Sequence, residues 1–509
     1  MRHAYLRLSE AATALRDSLE AAAAASGLST EYPEAALREA LDAVRSYAPP
    51  ELDLTHLPFI TIDPEGSTDL DQALWLEPEG GGWRVHYAIA DVPGFVPVGG
   101  ALDAETRHRG ETAYLPQGRI PLHPEAISEG AGSLLPGQER GAYVWEMLVN
   151  ADGTSTLAGL HHARVMSREQ LSYPQAQGRL EAGDPLMRLL HAFGEARRAD
   201  ESRRGGANLG LPEQEIVPVE GGGYALHARV PLPIEEDNAQ VSLLTGISAA
   251  RLMLGAGQGL LRTMPAPDPE AEERFRRVSV QLGHPWAAGT AYGDYLRSLD
   301  VTKPQQLAIM HAAAGLFRGA SYTAFAGEAP AQPLQAAVAA PYAHVTAPLR
   351  RLVDRFGLVL CHAQANGLEV PGWVSEALPT LPEAMKAAGS AVSSAERRSL
   401  DIVEASLLAA RVGERFEAVV IEGRLPASGA PRQAAIPAQA ATAARPTAQG
   451  SGGNGNGNGN GGSVKVALLD PPVEARAEGG SESGTVVTLE LLSADVQAAQ
   501  IRLRVVQPN

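Results

Sequence analysis

In FITIDPEGSTDLDQALWLE, residues 59–77, one apolar run enters a loop and another leaves it. Between them stand Asp63, Asp69 and Asp71, with Gln72 directly after. The flanking runs are short and bounded by Pro, Gly and Asp, which is the pattern of two strands joined by a loop. Carboxylates brought together repel and raise one another's proton affinity. A hard divalent cation removes that cost, and Mg²⁺ prefers oxygen ligands. In an extended segment Asp69 and Asp71 project to one side while Leu70 turns into the core. Asp63, at the end of the entering strand, can close such a site from the other side. The ligand ladder of a calcium-binding EF-hand is absent. Ordinary turn and cap chemistry also accounts for acidic loops, so spacing alone leaves metal binding and turn formation open.

Outward from this loop the strand signal continues from about residue 57 to 165, in QALWL, WRVHYAIADV and AYVWEMLV. Before it, LRLSEAATALRDSLEAAAAA and YPEAALREALDAVRSY carry apolar residues at three- and four-residue spacing and read as helices. Pro49 and Pro50 break that pattern. From about 185 to 410 the signal is mostly helical. Near 412 strands return in GERFEAVVIEGRL, VKVALLD, GTVVTLELLSA and AQIRLRVV, the pattern of a small β domain. A Gly/Asn tract around 446–463 offers no side chains for a core and reads as a flexible loop inside that domain. The expected fold class is α+β. It comprises a helical domain at 1–56, a large α+β domain at 57–410 and a small C-terminal β domain at 411–509.

At 509 residues the chain has length for roughly two to four domains of ~100–200 residues. Its one cysteine, Cys361, excludes an intramolecular disulfide framework and a multi-cysteine zinc site. The first residues lack the apolar core of a signal peptide, and no run approaches the ~18 consecutive apolar residues of a membrane span. The expectation is a cytoplasmic monomer without a membrane partner. The net charge of −17 argues against broad nonspecific coating of nucleic acid. It leaves room for a nucleic-acid enzyme with a basic internal channel.

The neighbourhood of the acidic loop carries more information than its spacing. LPFITIDPEGSTDLDQAL resembles the catalytic signature of the RNase II / RNase R family, the RNB-domain exoribonucleases. The resemblance continues in order through VHYAIADV, RGETAYLPQGRIPLHPEAISEGAGSLLPGQERGAYVWEM, MSREQLSYPQAQ, SRRGGANLGLPEQEI and YAHVTAPLRRLVDR. It covers about 57–410. Several weak motifs in the right order are far more specific than any one of them.

The resemblance implies a 3′→5′ exoribonuclease that hydrolyses single-stranded RNA to nucleoside 5′-monophosphates with Mg²⁺, or Mn²⁺ in its place. Asp63, Asp69 and Asp71 fall on three of the family's four acidic positions. Gln72 stands where the fourth aspartate is usual, and brings a carbonyl oxygen but no charge. Tyr114 matches the aromatic that clamps the terminal base. Arg350 matches the arginine that grips the scissile phosphate, and Arg351 beside it is either a second RNA contact or a structural ion pair. His344 and Thr346 belong to the same motif without a role the sequence supplies. The second stacking aromatic aligns near Leu209 to Leu211, where none occurs. The acids Glu235, Glu236 and Asp237 sit slightly upstream of the family's Glu pair, which leaves the 3′-ribose contact unassigned. The helices before residue 57 are too short for the family's two cold-shock domains and read as a helix-turn-helix-like unit or as a cap on the catalytic domain. The C-terminal β domain stands where the family has an RNA-binding S1 barrel. Two rival functions follow from the departures: a non-catalytic RNA-binding relative, and a metal-dependent phosphodiesterase acting on DNA or small nucleotides.

Overall fold

The computed structural model describes residues 10–207, 213–219, 223–316, 318–424 and 462–506. Most of the Gly/Asn tract and the Leu209 to Leu211 position lie outside the described residues.

The acidic loop hangs from a six-stranded sheet. Its strands are β1 (Leu52–Asp53), β2 (Phe59–Asp63), β3 (Gln72–Glu79), β4 (Gly82–Ala90), β7 (Glu139–Val149) and β8 (Ser155–Ser172). A short hairpin, β5 (Ala113–Leu115) and β6 (Gly118–Ile120), lies between β4 and β7 in sequence. β2, β3, β4 and β7 run as antiparallel neighbours. β8 is long enough to pair antiparallel with β7 along its first part and parallel with β2 along its last, so the sheet curls back on itself. Asp63 is the final residue of β2 and lies opposite Ser172, the final residue of β8.

Helices α3 (Pro233–Ala256) and α5 (Leu352–Ala365) pack on the sheet, with α4 (Pro304–Ala314) and α6 (Leu381–Leu408) further out. By length and composition α3 could cross a membrane, but it runs through the protein core, where Val241, Leu244 and Met253 are fully buried with Phe356 of α5. The stretch read as mostly helical also holds strands at Glu213–Val219, Gly223–Arg229, Gln258–Thr263 and Ser321–Ala326. Their apolar residues are few and mixed with polar ones, so their period is weak in the sequence.

The two N-terminal helices are α1 (Glu10–Ala25) and α2 (Glu34–Ser46). Neither has a core of its own. Leu15 and Leu19 of α1 pack with Ile402 and Leu408 of α6 and with Phe416 of the barrel. Each buried leucine contributes roughly 1.5–3 kcal/mol. Ala36 and Ala40 of α2 pack into the sheet's other face with Phe59 and Leu70. This packing is that of a cap rather than of a free helix-turn-helix unit. The C-terminal strands β9 (Arg415–Glu422), β10 (Ser463–Leu468), β11 (Glu474–Glu478), β12 (Val486–Asp495) and β13 (Gln500–Val505) close into a five-stranded barrel.

Candidate functional site

The loop between β2 and β3 is held open by its neighbours. Ser133 accepts from the Leu70 N–H and donates to the Thr68 carbonyl, while the Leu134 N–H bonds back to the Leu70 carbonyl. Leu70 is fully buried, as the alternation required. The flanking acids nevertheless go to different partners. Asp71 is buried, and its Oδ1 accepts from the Leu349 N–H at 2.7 Å. Its Oδ2 lies 3.6 Å from Arg350 Nε. Asp69 has Oδ1 2.7 Å from Arg119 Nη1 and accepts from the Tyr114 hydroxyl at Oδ2, 2.9 Å away. Asp63 closes the group, and its Oδ2 is buried without a hydrogen-bond partner.

Burial dominates the charge state of the inner pair. It pushes the Asp63 carboxyl up to about 7, with Arg350 opposing and Asp69 adding to the rise. Burial likewise holds Asp71 well above the usual carboxylate range, opposed by Arg350 and by the Leu349 N–H. Two carboxylates in this position favour either protons or a cation. Among the described residues, no three acidic, histidine or cysteine side chains converge closely enough to enclose a metal by themselves. The donor set nevertheless suits Mg²⁺, which keeps several waters and is usually bound by one or two carboxylates together with substrate phosphates. The unpartnered Oδ2 of Asp63 and the Oδ2 of Asp71, both within the electrostatic reach of Arg350, are the oxygens that could serve.

The arginine motif lies across from these acids and is rigid. Thr112 N–H bonds to the Arg350 carbonyl, Leu352 N–H to the Gly110 carbonyl, and the Ala347 N–H to Asp354 Oδ1. Gly110 has φ +68°, and a side chain there would collide with Ala388 of α6, so the close approach requires glycine. The Arg350 side chain is 45% exposed. Arg351 is directed elsewhere: Nε and Nη2 bond to both carboxylate oxygens of Asp354 at 2.9 and 2.8 Å. This ion pair, at the start of α5, is the structural alternative to its reading as an RNA contact. His344 Nδ1 and the Tyr322 hydroxyl are hydrogen-bonded at 2.7 Å, and burial with nearby Arg351 lowers the proton affinity of the imidazole well below its usual value. Gln72, expected among the metal positions, bonds through its amide nitrogen to the Thr346 carbonyl, tying β3 to the arginine motif.

Tyr114 stands on the β5–β6 hairpin directly opposite Arg119. Its ring is 49% exposed beside the acids. Burial and the Asp69 charge raise its hydroxyl above the ordinary tyrosine value. Arg119 is the residue that sequence reasoning missed. The turn signal PQG between Tyr114 and Arg119 could have found it, because a two-residue turn places these side chains on one face. Tyr173, at the start of the helix after β8, also lies within the electrostatic reach of Asp63 and Arg350. The upstream acids serve structure. Glu235 pairs with Arg229 at 2.7 Å, and Asp237 is fully buried between His191 and Arg198.

Comparisons with known proteins agree with this arrangement. The RNB domain profile matches residues 51–364, and the profile of the RNase II-type exonuclease C-terminal S1 domain matches residues 454–506. Ribonuclease R of Escherichia coli (strain K12) is 32% identical over 252 residues, 46% of this chain and 30% of that protein's length. The structure of Mycoplasma genitalium RNase R in complex with ribose methylated single-stranded RNA shares the fold. Its TM-score is 0.75 at 18% identity, over 96% of this chain and 77% of that one. Yeast Ssd1, a pseudonuclease, shares it with a TM-score of 0.59 at 16% identity, over 86% of this chain and 51% of that one. With the family profile spanning more than half of its length, and with the acidic loop, the Tyr114 hairpin and the arginine motif gathered at one place, the chain belongs to the RNB domain family.

Proposed function

We propose that the chain removes nucleotides from the 3′ end of single-stranded RNA, releasing nucleoside 5′-monophosphates. The observation that carries this reading is the placement of Asp63, with one carboxylate oxygen unpartnered, and buried Asp71 about the same half-exposed Arg350. Asp63 and Asp71 would hold a divalent cation, Mg²⁺ or Mn²⁺. When bound, the cation supplies water activation and neutralises charge on the attacking and leaving oxygens. Arg350 presents a planar guanidinium to the oxygens of the scissile phosphate. The N–H of Leu349 fixes one oxygen of Asp71, so only the other is left to turn toward a ligand. Tyr114 offers an open ring face to the terminal base, a contact that contributes roughly 1–3 kcal/mol.

The relatives bearing ribonuclease names support this reading, as does the M. genitalium fold solved with single-stranded RNA. One observation favours a second reading. Gln72 brings no charge to the site and spends its amide on Thr346, which suits an RNA-binding chain without turnover. The test is incubation of the protein with 5′-labelled single-stranded RNA, and with DNA of the same sequence, in Mg²⁺ or in EDTA. A metal-dependent ladder shortening from the 3′ end of RNA alone is expected. RNA bound but intact in every condition establishes the non-catalytic reading. Equal cleavage of DNA establishes a general phosphodiesterase.

A further inference from the structure

Arg119 is the cation nearest Asp69, and its surroundings are built. Nη1 meets Asp69 Oδ1 at 2.7 Å, Nη2 donates to Thr68 Oγ1 at 2.7 Å, and Nη2 also contacts Glu129. Thr68 Oγ1 in turn donates to Glu129 Oε2 at 2.9 Å. Asp69 has its second oxygen taken by the Tyr114 hydroxyl, so both of its oxygens are committed. Asp63 and Asp71 have no such partners: one oxygen of Asp63 is bare, and one oxygen of Asp71 faces only Arg350 at 3.6 Å. The three acids are therefore divided into two that each keep an oxygen without a hydrogen bond and a third whose oxygens are both committed. Gln72 adds no further negative charge. Arg119 and Tyr114 are opposite residues on one hairpin, so the same pairing that neutralises Asp69 also sets the height of the Tyr114 ring.

We propose that Arg119 is a positioning residue that stands in for a second metal ion: this chain loads one divalent cation, at Asp63 and Asp71, while the guanidinium fills the cation's place at Asp69. This rests on the metal-dependent reading above. It predicts a metal stoichiometry, which can be read without turnover.

The test is titration of the EDTA-stripped, full-length protein with Mn²⁺ alone, with free Mn²⁺ followed by its electron paramagnetic resonance signal. The wild type is expected to bind one Mn²⁺ per chain. Arg119→Gln is expected to bind a second, because Asp69 is released, and Arg119→Gln combined with Asp69→Asn is expected to return to one. Arg119→Lys, which keeps the charge, also stays at one and serves if the glutamine variant fails to fold. Two Mn²⁺ in the wild type, or an unchanged single Mn²⁺ in Arg119→Gln, overturns the proposal. The RNA ladder run in parallel separates the two claims. Metal-dependent shortening by a protein that binds two Mn²⁺ refutes the role of Arg119 alone. No Mn²⁺ and no shortening refutes the metal-dependent function and the proposal with it.

Discussion

At the loop between β2 and β3, Asp71 is buried and Asp63 half-buried, both within the electrostatic reach of Arg350, whose side chain is 45% exposed. At the seam between α6 and the barrel, Glu404 is buried and Glu474 half-buried. Lys465 Nζ holds Glu474 at 2.8 Å, His311 lies 3.6 Å from its other oxygen, and Gln214 reaches both Glu404 and the Pro472 carbonyl. Burial raises the proton affinity of the carboxyls in both places. The seam also leaves Glu474 Oε1 without a hydrogen-bond partner, but the cation beside that carboxyl, Lys465, is itself only 15% exposed. The site differs in its half-exposed neighbours, Arg350 and Tyr114. The lesson is that raised carboxylates mark function only where something can still reach them.

The largest effect that separates the two regions is on rate. Asp71→Asn keeps the shape of the side chain and removes its charge. Turnover of RNA should fall at least about 10³-fold, since several kcal/mol of charge stabilisation pass through a bound metal. RNA binding, measured by anisotropy, should change only a few-fold. The adjacent arginines divide along the same line. Arg350→Ala should lower single-turnover cleavage by about 10²–10³-fold, as for loss of one preorganised donor to a developing charge. Arg351→Ala leaves Asp354 buried and unpaired, and should cost about 3–5 kcal/mol of stability in urea unfolding.

The seam responds through stability instead. Glu404 has a folded-state proton affinity raised by burial, then by Asp401 and Glu474. The folded state therefore holds the proton where the unfolded state has lost it. Stability from this group is intact below the unfolded value of 4.5 and falls as pH rises toward the raised folded value. Glu404→Gln should stabilise the protein by about 1–3 kcal/mol at pH 8, with the gain vanishing near pH 4, and should leave RNA cleavage unchanged. Unfolding midpoints at the two pH values check the sign. A similar gain at both would break the contrast. The smallest effect is expected at Gln72. Gln72→Asp loses the bond to the Thr346 carbonyl and should cost about 1–3 kcal/mol in EDTA. The deficit should shrink when Mg²⁺ is added.

What could be read from the chain alone follows from how local the cause is. The strands around the acidic loop, the helical N-terminus and the terminal barrel were legible because each repeats a short period of apolar residues. The ordered motifs made the RNB resemblance secure although each is weak. Three things were not legible. Arg351 and Arg350 are neighbours with the same chemistry, and only the position of Asp354 sends one inward. Arg119 pairs with an acid fifty positions away, through a turn whose consequence needs the fold. The seam at Glu404 joins α6, α4 and the barrel, and no pattern along the sequence announces it.

The central claim is that the Asp63–Asp71 pair takes a divalent cation and the Glu404–Glu474 pair does not. Anomalous diffraction from a crystal of the protein equilibrated with Mn²⁺ tests it directly. One peak bounded by Asp63 and Asp71, near Arg350, with none at the seam, is the predicted result. A peak at Glu404 and Glu474, or no peak beside Asp63, would contradict it.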